Sequence, residues 1–197
     1  MIAFISLGSN LPIWRAGEGL SPVDLVRLAA AYLDQVPQTR LLAASGLYRS
    51  APVGPGRQRP YINAVAAAQT RLSANDLLAA LHSIEQALGR TRALAWQARP
   101  IDLDLLDYDG DIVSSDGPWR LALNRPWPPH VSAASAVIAQ QRALRLPHPR
   151  LDQRNFVLQP LAELCPNWVH PISQLTALQL LRQVKGGPLT RLGPLTF

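Results

Sequence analysis

The sequence predicts an α+β fold, and three features carry that prediction. Met1–Leu7, Arg40–Arg49, Tyr61–Thr70 and Arg99–Leu106 are apolar or alternate apolar with polar residues over strand-like lengths. Two stretches between them repeat apolar residues at helical spacing behind capping sequences. The resulting order, β-α-β-β-α-β, is the ferredoxin-like arrangement, a mostly antiparallel sheet with helices packed on one face. The other face is then left for loops and ligand.

Each element has its own signal. Met1–Leu7 reads as a buried strand ended by the turn Gly8-Ser9-Asn10. Ser21-Pro22-Val23-Asp24 is a capping box with proline at the first helical position. The helix behind it turns Leu25, Leu28, Ala29 and Leu33 inward, runs to about Val36 and stops at Pro37. Arg40–Arg49 is the second strand. Residues 50–60, with three prolines and two glycines, form a loop too long for a tight turn. Tyr61–Thr70 is the third strand, with Tyr61 and Asn63 on one face. Ser73-Ala-Asn-Asp76 is a second capping box, and Leu77, Leu78, Leu81, Ile84 and Leu88 follow at helical spacing up to Gly89. His82 and Glu85 lie three apart on that helix and read as surface residues.

Past the fourth strand, Asp109-Gly110 signals a hairpin whose return strand starts at Ile112-Val113. Ser114–Arg145 is irregular and rich in proline and tryptophan, with a short amphipathic helix at Ser132–Leu144. Pro147-His148-Pro149 is extended. Arg154–Leu164 and Ile172–Val184 read as helices, the first despite Pro160 and the second closed by Gly186-Gly187. The remaining tail is short and partly apolar.

With 197 residues, 48% hydrophobic and 16% charged, the chain has the size and composition of one globular domain. Its single cysteine, Cys165, excludes an internal disulfide and reads as a buried, inert thiol. The N-terminus lacks the basic region of a signal peptide, and no apolar run nears the roughly 18 residues of a membrane span. A cytoplasmic monomer is expected. The net charge is +6, and of 19 basic residues only Lys185 is lysine. Arginine suits bidentate phosphate contacts. Arg90, Arg92 and Arg99 immediately precede Asp102, Asp104, Asp107, Asp109, Asp111 and Asp116. Such segregated charge fits metal plus polyphosphate better than a broad nucleic-acid face.

The pivotal stretch is Arg99-Pro-Ile-Asp102-Leu-Asp104-Leu-Leu106. Its alternation sends Ile101, Leu103 and Leu105 inward and both aspartates outward together, with Cα atoms about 6–7 Å apart. Two carboxylates so spaced can converge on one hard cation or bridge two. They also repel, so either a divalent metal or the upstream arginines must compensate them. A solvated edge strand with two ordinary aspartates is the alternative, since D-x-D alone is a weak motif. No Walker A sequence is present, so phosphate chemistry here is not of the P-loop kind.

Six blocks give the chain a family likeness. They are Ile5-Ser-Leu-Gly-Ser-Asn10-Leu, Tyr48-Arg-Ser-Ala-Pro52-Val-Gly54-Pro, Tyr61-Ile-Asn63-Ala-Val, Ile84-Glu85-Gln-Ala-Leu-Gly89-Arg90-Thr-Arg92, the Arg99–Leu105 stretch, and Pro147-His148-Pro-Arg-Leu-Asp-Gln-Arg154-Asn-Phe156-Val-Leu-Gln-Pro160-Leu. In content and order they resemble the 6-hydroxymethyl-7,8-dihydropterin pyrophosphokinases of folate biosynthesis. The resemblance implies an ATP-dependent diphosphokinase. Such an enzyme moves the β,γ-diphosphoryl unit of ATP to the pterin's hydroxymethyl oxygen and releases AMP. It implies Mg2+, two ions by expectation, held by Asp102 and Asp104. ATP and the pterin are then the partners, with no nucleic acid or membrane.

Matched position by position, the resemblance makes Arg90, Arg99 and Arg154 catalytic. It puts His82, Glu85, Arg92, Trp96, Leu105 and His148 at the ATP site. Ser50, Ala51, Val53, Tyr61, Asn63, Trp96 and Phe156 fall in the pterin pocket. Tyr61 and Phe156 are a natural stacking pair for a flat heterocycle, and Asn63 can read its edge. For His82 and Leu105 a purely structural role stands equally open. Three departures from the family pattern stand out. Ala51 replaces a frequent proline, Asn155 replaces a usual small residue, and residues 114–145 form an atypically long insertion. A nucleotidyltransferase would also use Gly-Ser and D-x-D, but there the pair follows the turn closely, and here about ninety residues separate Ser9 from Asp102. A basic nucleic-acid module lacks the aromatic sheet motif it would need.

Overall fold

The computed structural model describes residues 1–15, 17–53, 58–90, 98–113 and 144–197. Its main sheet has the order β7-β1-β6-β5-β8, with β4 also paired to β6. The strands are β1 (Ile2–Ser9), β4 (Thr39–Ala44), β5 (Gly46–Ser50), β6 (Tyr61–Thr70), β7 (Asp102–Tyr108) and β8 (Leu189–Pro194). All their pairings are antiparallel. Two three-residue strands, β2 (Ile13–Arg15) and β3 (Glu18–Leu20), form a separate hairpin. The expected α+β, ferredoxin-like core is present, and β6 is its centre.

Helices α1 (Pro22–Asp34) and α2 (Ala74–Ala87) cover one face. Ser21 and Asp24 close a reciprocal capping box on α1, which buries Leu25, Val26, Ala29, Ala30 and Leu33. On α2 the box is half-formed: Ser73 accepts from the Asp76 amide, while its hydroxyl, rather than its backbone, donates to the Asp76 carboxylate. Gly89, at φ +83°, takes the left-handed conformation that ends this helix.

The other face is not left to loops. Helices α3 (Asn155–Leu164) and α4 (Ala177–Gln183) pack there on Phe4, Val65, Ala67 and Leu106. Helix α4 is shorter than expected. Thr176 and Gln179 form its capping box, and His170 Nδ1 takes the amides of Ile172 and Ser173 in a turn before it. Helix α3 carries Pro160 internally, as expected, and ends at Cys165, which is half-buried rather than buried.

Two strands differ from expectation for identifiable reasons. The segment expected as one strand breaks at Ser45, which is an extra residue opposite β6. Its backbone amide bonds to the Val65 carbonyl at 2.9 Å, and its hydroxyl accepts the Val65 amide at 3.0 Å. The tail forms β8 on the outer edge of β5. There Glu163 clamps the Gly46 amide at 2.9 Å and the Arg191 guanidinium at 2.8 Å. Asp109 and Gly110 do adopt the paired positive φ of a tight hairpin turn, 54° and 79°. Of the return strand expected from Ile112-Val113, the described residues contain one bridge, between Val113 and Leu146, and the positions immediately after Val113 lie outside them. The helix expected at Ser132–Leu144 and the body of the insertion lie outside the described residues. No helix among the described residues is long and apolar enough to cross a membrane.

Ser45→Ala removes the acceptor of a buried amide. It should cost about 1–3 kcal/mol of stability with an unchanged denaturant slope in urea unfolding.

Candidate active site

The site is the end of the sheet face that, among the described residues, α3 and α4 leave uncovered. Register pairs Asp102 with Gly8, Gly8 with Asn63, and Asn63 with Tyr48. One row lower, Asp104 faces Ser6 and Ser6 faces Val65, which is already under α3. The alternation of β7 works as expected: Ile101, Leu103 and Leu105 are buried on the α1/α2 side and both aspartates point to the other. A bulge after Leu105 then turns Leu106 and Asp107 toward the α3/α4 side as well, where Asp107 accepts from the Trp168 indole at 3.3 Å.

Cationic groups from separate segments surround the two carboxylates. Arg90, just past α2, bonds both Glu85 and Asp102 through Nη1. Arg99 Nη1 reaches the other Asp102 oxygen at 2.7 Å. Arg154, the N-cap of α3, and His148 stand 3.7 and 3.9 Å from Asp104 Oδ2. Burial alone would raise the Asp104 carboxyl. The positive field of His148, protonated at the low pH where a carboxyl titrates, and of Arg154, Arg90 and Arg99 outweighs it and holds the group below the ordinary carboxylate range. Burial, helped by Arg154, pushes the His148 imidazole below its ordinary value despite Asp104. Its Nδ1 accepts the Arg150 amide at 3.2 Å, so the neutral ring carries its proton on Nε2, toward Asp104. Asp102 and Asp104 favour the charged state of Arg90, as does Glu85, and together they overcome its burial.

Beside this cluster lies a neutral pocket wall. Asn63, buried on β6, donates to Ser50 Oγ at 3.0 Å and to the Tyr48 carbonyl at 3.3 Å. Tyr61 is held by Gln58 at 3.3 Å, and burial raises its phenol despite the nearby Arg99. Phe156 opens α3, with the Arg154 guanidinium 5.6 Å from its ring centre. Asn10, fully buried, joins the two halves. Its Oδ1 accepts the Arg99 amide at 2.8 Å, and its Nδ2 donates to Gln58 at 3.1 Å.

A sequence profile described as 7,8-dihydro-6-hydroxymethylpterin-pyrophosphokinase matches residues 4–166. The chain belongs to this pyrophosphokinase family. A 2-amino-4-hydroxy-6-hydroxymethyldihydropteridine pyrophosphokinase of Haemophilus influenzae is 32% identical over 192 residues, 98% of each chain. One of Pseudomonas aeruginosa is 36% identical over 164 residues, covering 83% of this chain and 80% of that relative. In structure, the HPPK-DHPS of Plasmodium falciparum superposes on 92% of this chain with a TM-score of 0.62 at 13% identity, which speaks for the fold. The present chain spans 44% of that longer one.

Several residues expected from the pyrophosphokinase likeness converge here: Arg90, Arg99, Arg154, Glu85, His148, Asp102 and Asp104 in one cluster, with Ser50, Tyr61, Asn63 and Phe156 along its flank. Arg92 and Trp96 lie outside the described residues. Glu85 is no surface residue. It is 1% exposed, because its Oε1 also accepts the Leu103 amide at 2.8 Å on the free edge of β7. The Leu105 side chain is core on the opposite face, so only its backbone can serve a nucleotide. His82 is half-buried on α2, one turn before Glu85. Ala51 and Val53 are exposed on the loop after β5, Val53 at 68%. Asn10 was not expected as a site residue, since an asparagine after Gly-Ser reads as ordinary turn chemistry.

Imidazole NMR tests the His148 assignment. In the free protein it should titrate below the ordinary histidine range as the Nε2–H tautomer. Neutral His148 is the state the fold favours, so its contribution to stability is complete above the unfolded-state pKa and is lost as pH falls through the folded one.

Proposed function

We propose that the chain transfers the β,γ-diphosphoryl unit of ATP to the hydroxymethyl oxygen of 6-hydroxymethyl-7,8-dihydropterin, giving AMP and the pterin diphosphate. The observation that carries this reading is one sheet face on which two arginine-ringed carboxylates adjoin a pocket wall of Asn63, Ser50 and Tyr61.

Enzymes of this family use ATP and Mg2+. The donor set here fits that ion. Asp102 and Asp104 supply hard oxygen ligands from one face, and among the described residues no group of three or more His, Cys, Asp or Glu forms an all-protein cage. Mg2+ commonly takes one or two carboxylates and completes its octahedron with water and substrate phosphate. When bound, it neutralises phosphate charge and aligns the reacting oxygens. Two ions suit the charge balance. Asp102, Asp104 and Glu85 stand against Arg90, Arg99 and Arg154, with Arg150 adding one positive charge near Asp104, so the protein side is close to neutral once His148 is uncharged. ATP carries about four negative charges, which two Mg2+ ions match, so substrate enters without unbalancing the site.

The protein's own groups bind and orient. Arg90, Arg99 and Arg154 release carboxylate for phosphate oxygens. The Nε2–H of His148 donates to the same chain of oxygens. Asn63 and Ser50 read the pterin edge, and Tyr61 and Phe156 flank its ring. Glu85 keeps Arg90 in place. In this reading residues 1–197 act as one cytoplasmic domain, with 114–145 an insertion in it.

Purified protein should form AMP from ATP only when the hydroxymethyl pterin and Mg2+ are both present. Pyrophosphate release instead would indicate nucleotidyl transfer. Asp102→Ala or Asp104→Ala should lower turnover roughly a hundredfold or more while the protein still folds, with a somewhat lower melting temperature because Arg90 and Arg99, or Arg154, lose a counter-charge. Wild-type turnover in either variant would remove these aspartates from the reaction. Asn63→Ala should mainly raise the pterin KM.

A further inference from the structure

Gly8 sits between the two halves of the site. Its cross-strand partners are Asn63 on β6 and Asp102 on β7. A Cβ built on Gly8 would lie 3.7 Å from Asn63 Oδ1 and 4.0 Å from both the Cβ and the carbonyl oxygen of Asp102. These are ordinary van der Waals separations, so an added methyl group meets no clash. Nor does the backbone require glycine, because Gly8 is not among the residues with positive φ. Neither packing nor conformation accounts for a glycine in the middle of this strand row.

The missing side chain does have a geometric effect. It leaves the sheet bare between the amide that faces one substrate and the carboxylate that faces the other. One row lower, between Asp104 and Val65, Ser6 fills the equivalent place. Attack on phosphorus needs the acceptor oxygen within about 3–3.5 Å of it. A ring held at Asn63 and a phosphate held beside Asp102 approach one another over Gly8.

We propose that Gly8 is a positioning residue. Its bare Cα is the floor over which the acceptor oxygen meets the β-phosphorus, and glycine is required there for transfer rather than for folding or for binding either substrate alone. The inference rests on the site assignment of the preceding section. The step over this floor forms the bond from the carbinol oxygen to the β-phosphorus. It breaks the bond from that phosphorus to the α,β-bridging oxygen, whose electron pair leaves with AMP, and the carbinol proton passes to water.

Gly8→Ala is the test. The variant should melt within a few degrees of wild type. In calorimetry it should bind the Mg2+ complex of a non-hydrolysable ATP analogue, and the pterin, each within about threefold of wild type. Its kcat should fall about a hundredfold, the loss expected from displacing reacting atoms by an ångström. A kcat within threefold of wild type overturns the proposal, and so does a loss explained by weaker binding of one substrate. Should the variant not fold, the amide signal of Gly8 in 15N-labelled wild type decides. Adding the Mg2+–analogue complex should shift it, and adding pterin to that complex should shift it again. A signal that ignores either addition overturns the proposal. Failure of the site assignment itself is separable, since Asp102→Ala and Asn63→Ala would then both remain fully active.

Discussion

Two like charges two residues apart on one face of an edge strand cannot stand alone, and much of this molecule's polar structure answers that constraint. The end of α2 delivers Arg90, the segment before β7 delivers Arg99, and the start of α3 delivers Arg154. Arg99 is a near neighbour of Asp102 in sequence and Arg90 lies only twelve residues before it, whereas Arg154 comes from far along the chain, so the full set of partners forms only when α3 has packed on the sheet. The counter-charges are then already gathered and oriented in the free protein. A phosphate chain entering such a site meets donors that exchange one oxyanion for another, with little reorganisation at the moment of reaction.

The half-covered sheet face determines where this happens. Helices α3 and α4 seal Phe4, Val65, Ala67 and Leu106, and among the described residues neither helix extends over the same face around Gly8, Asn63 and Asp102. The first residues of α3 stand at the border. Arg154 looks to the aspartates and its guanidinium lies 5.6 Å from the Phe156 ring centre, so a single helix start carries both a charge for the cluster and an aromatic ring beside it.

The core topology was readable because its signals are local. Strand alternation, the Ser21 capping box and the glycine after α2 each declare themselves within a few residues, and the Asp102/Asp104 pair follows from alternation alone. What stayed hidden depends on distant partners. Glu85 flanks an apolar stripe and looks solvent-facing, yet it is buried because the free edge of β7 needs an acceptor for the Leu103 amide. Strand β8 has exposed residues at most positions and a glycine and a proline at its end, so no periodicity marks it. Ser45 looks like any strand serine until its hydroxyl is seen replacing a rung of the ladder. Helix periodicity foretold α3, but not which face of the sheet it would cover.

One departure from the family pattern finds its partner in the tail. The Asn155 side chain donates to the Gly187 carbonyl at 2.8 Å and occupies the space that a Cβ on residue 186 would need. A side chain at 186 would have to push the Asn155 amide aside and break its bond to the tail, so the two positions are energetically coupled: the cost of any residue larger than glycine at 186 is set by a side chain about thirty residues earlier, on the first turn of α3.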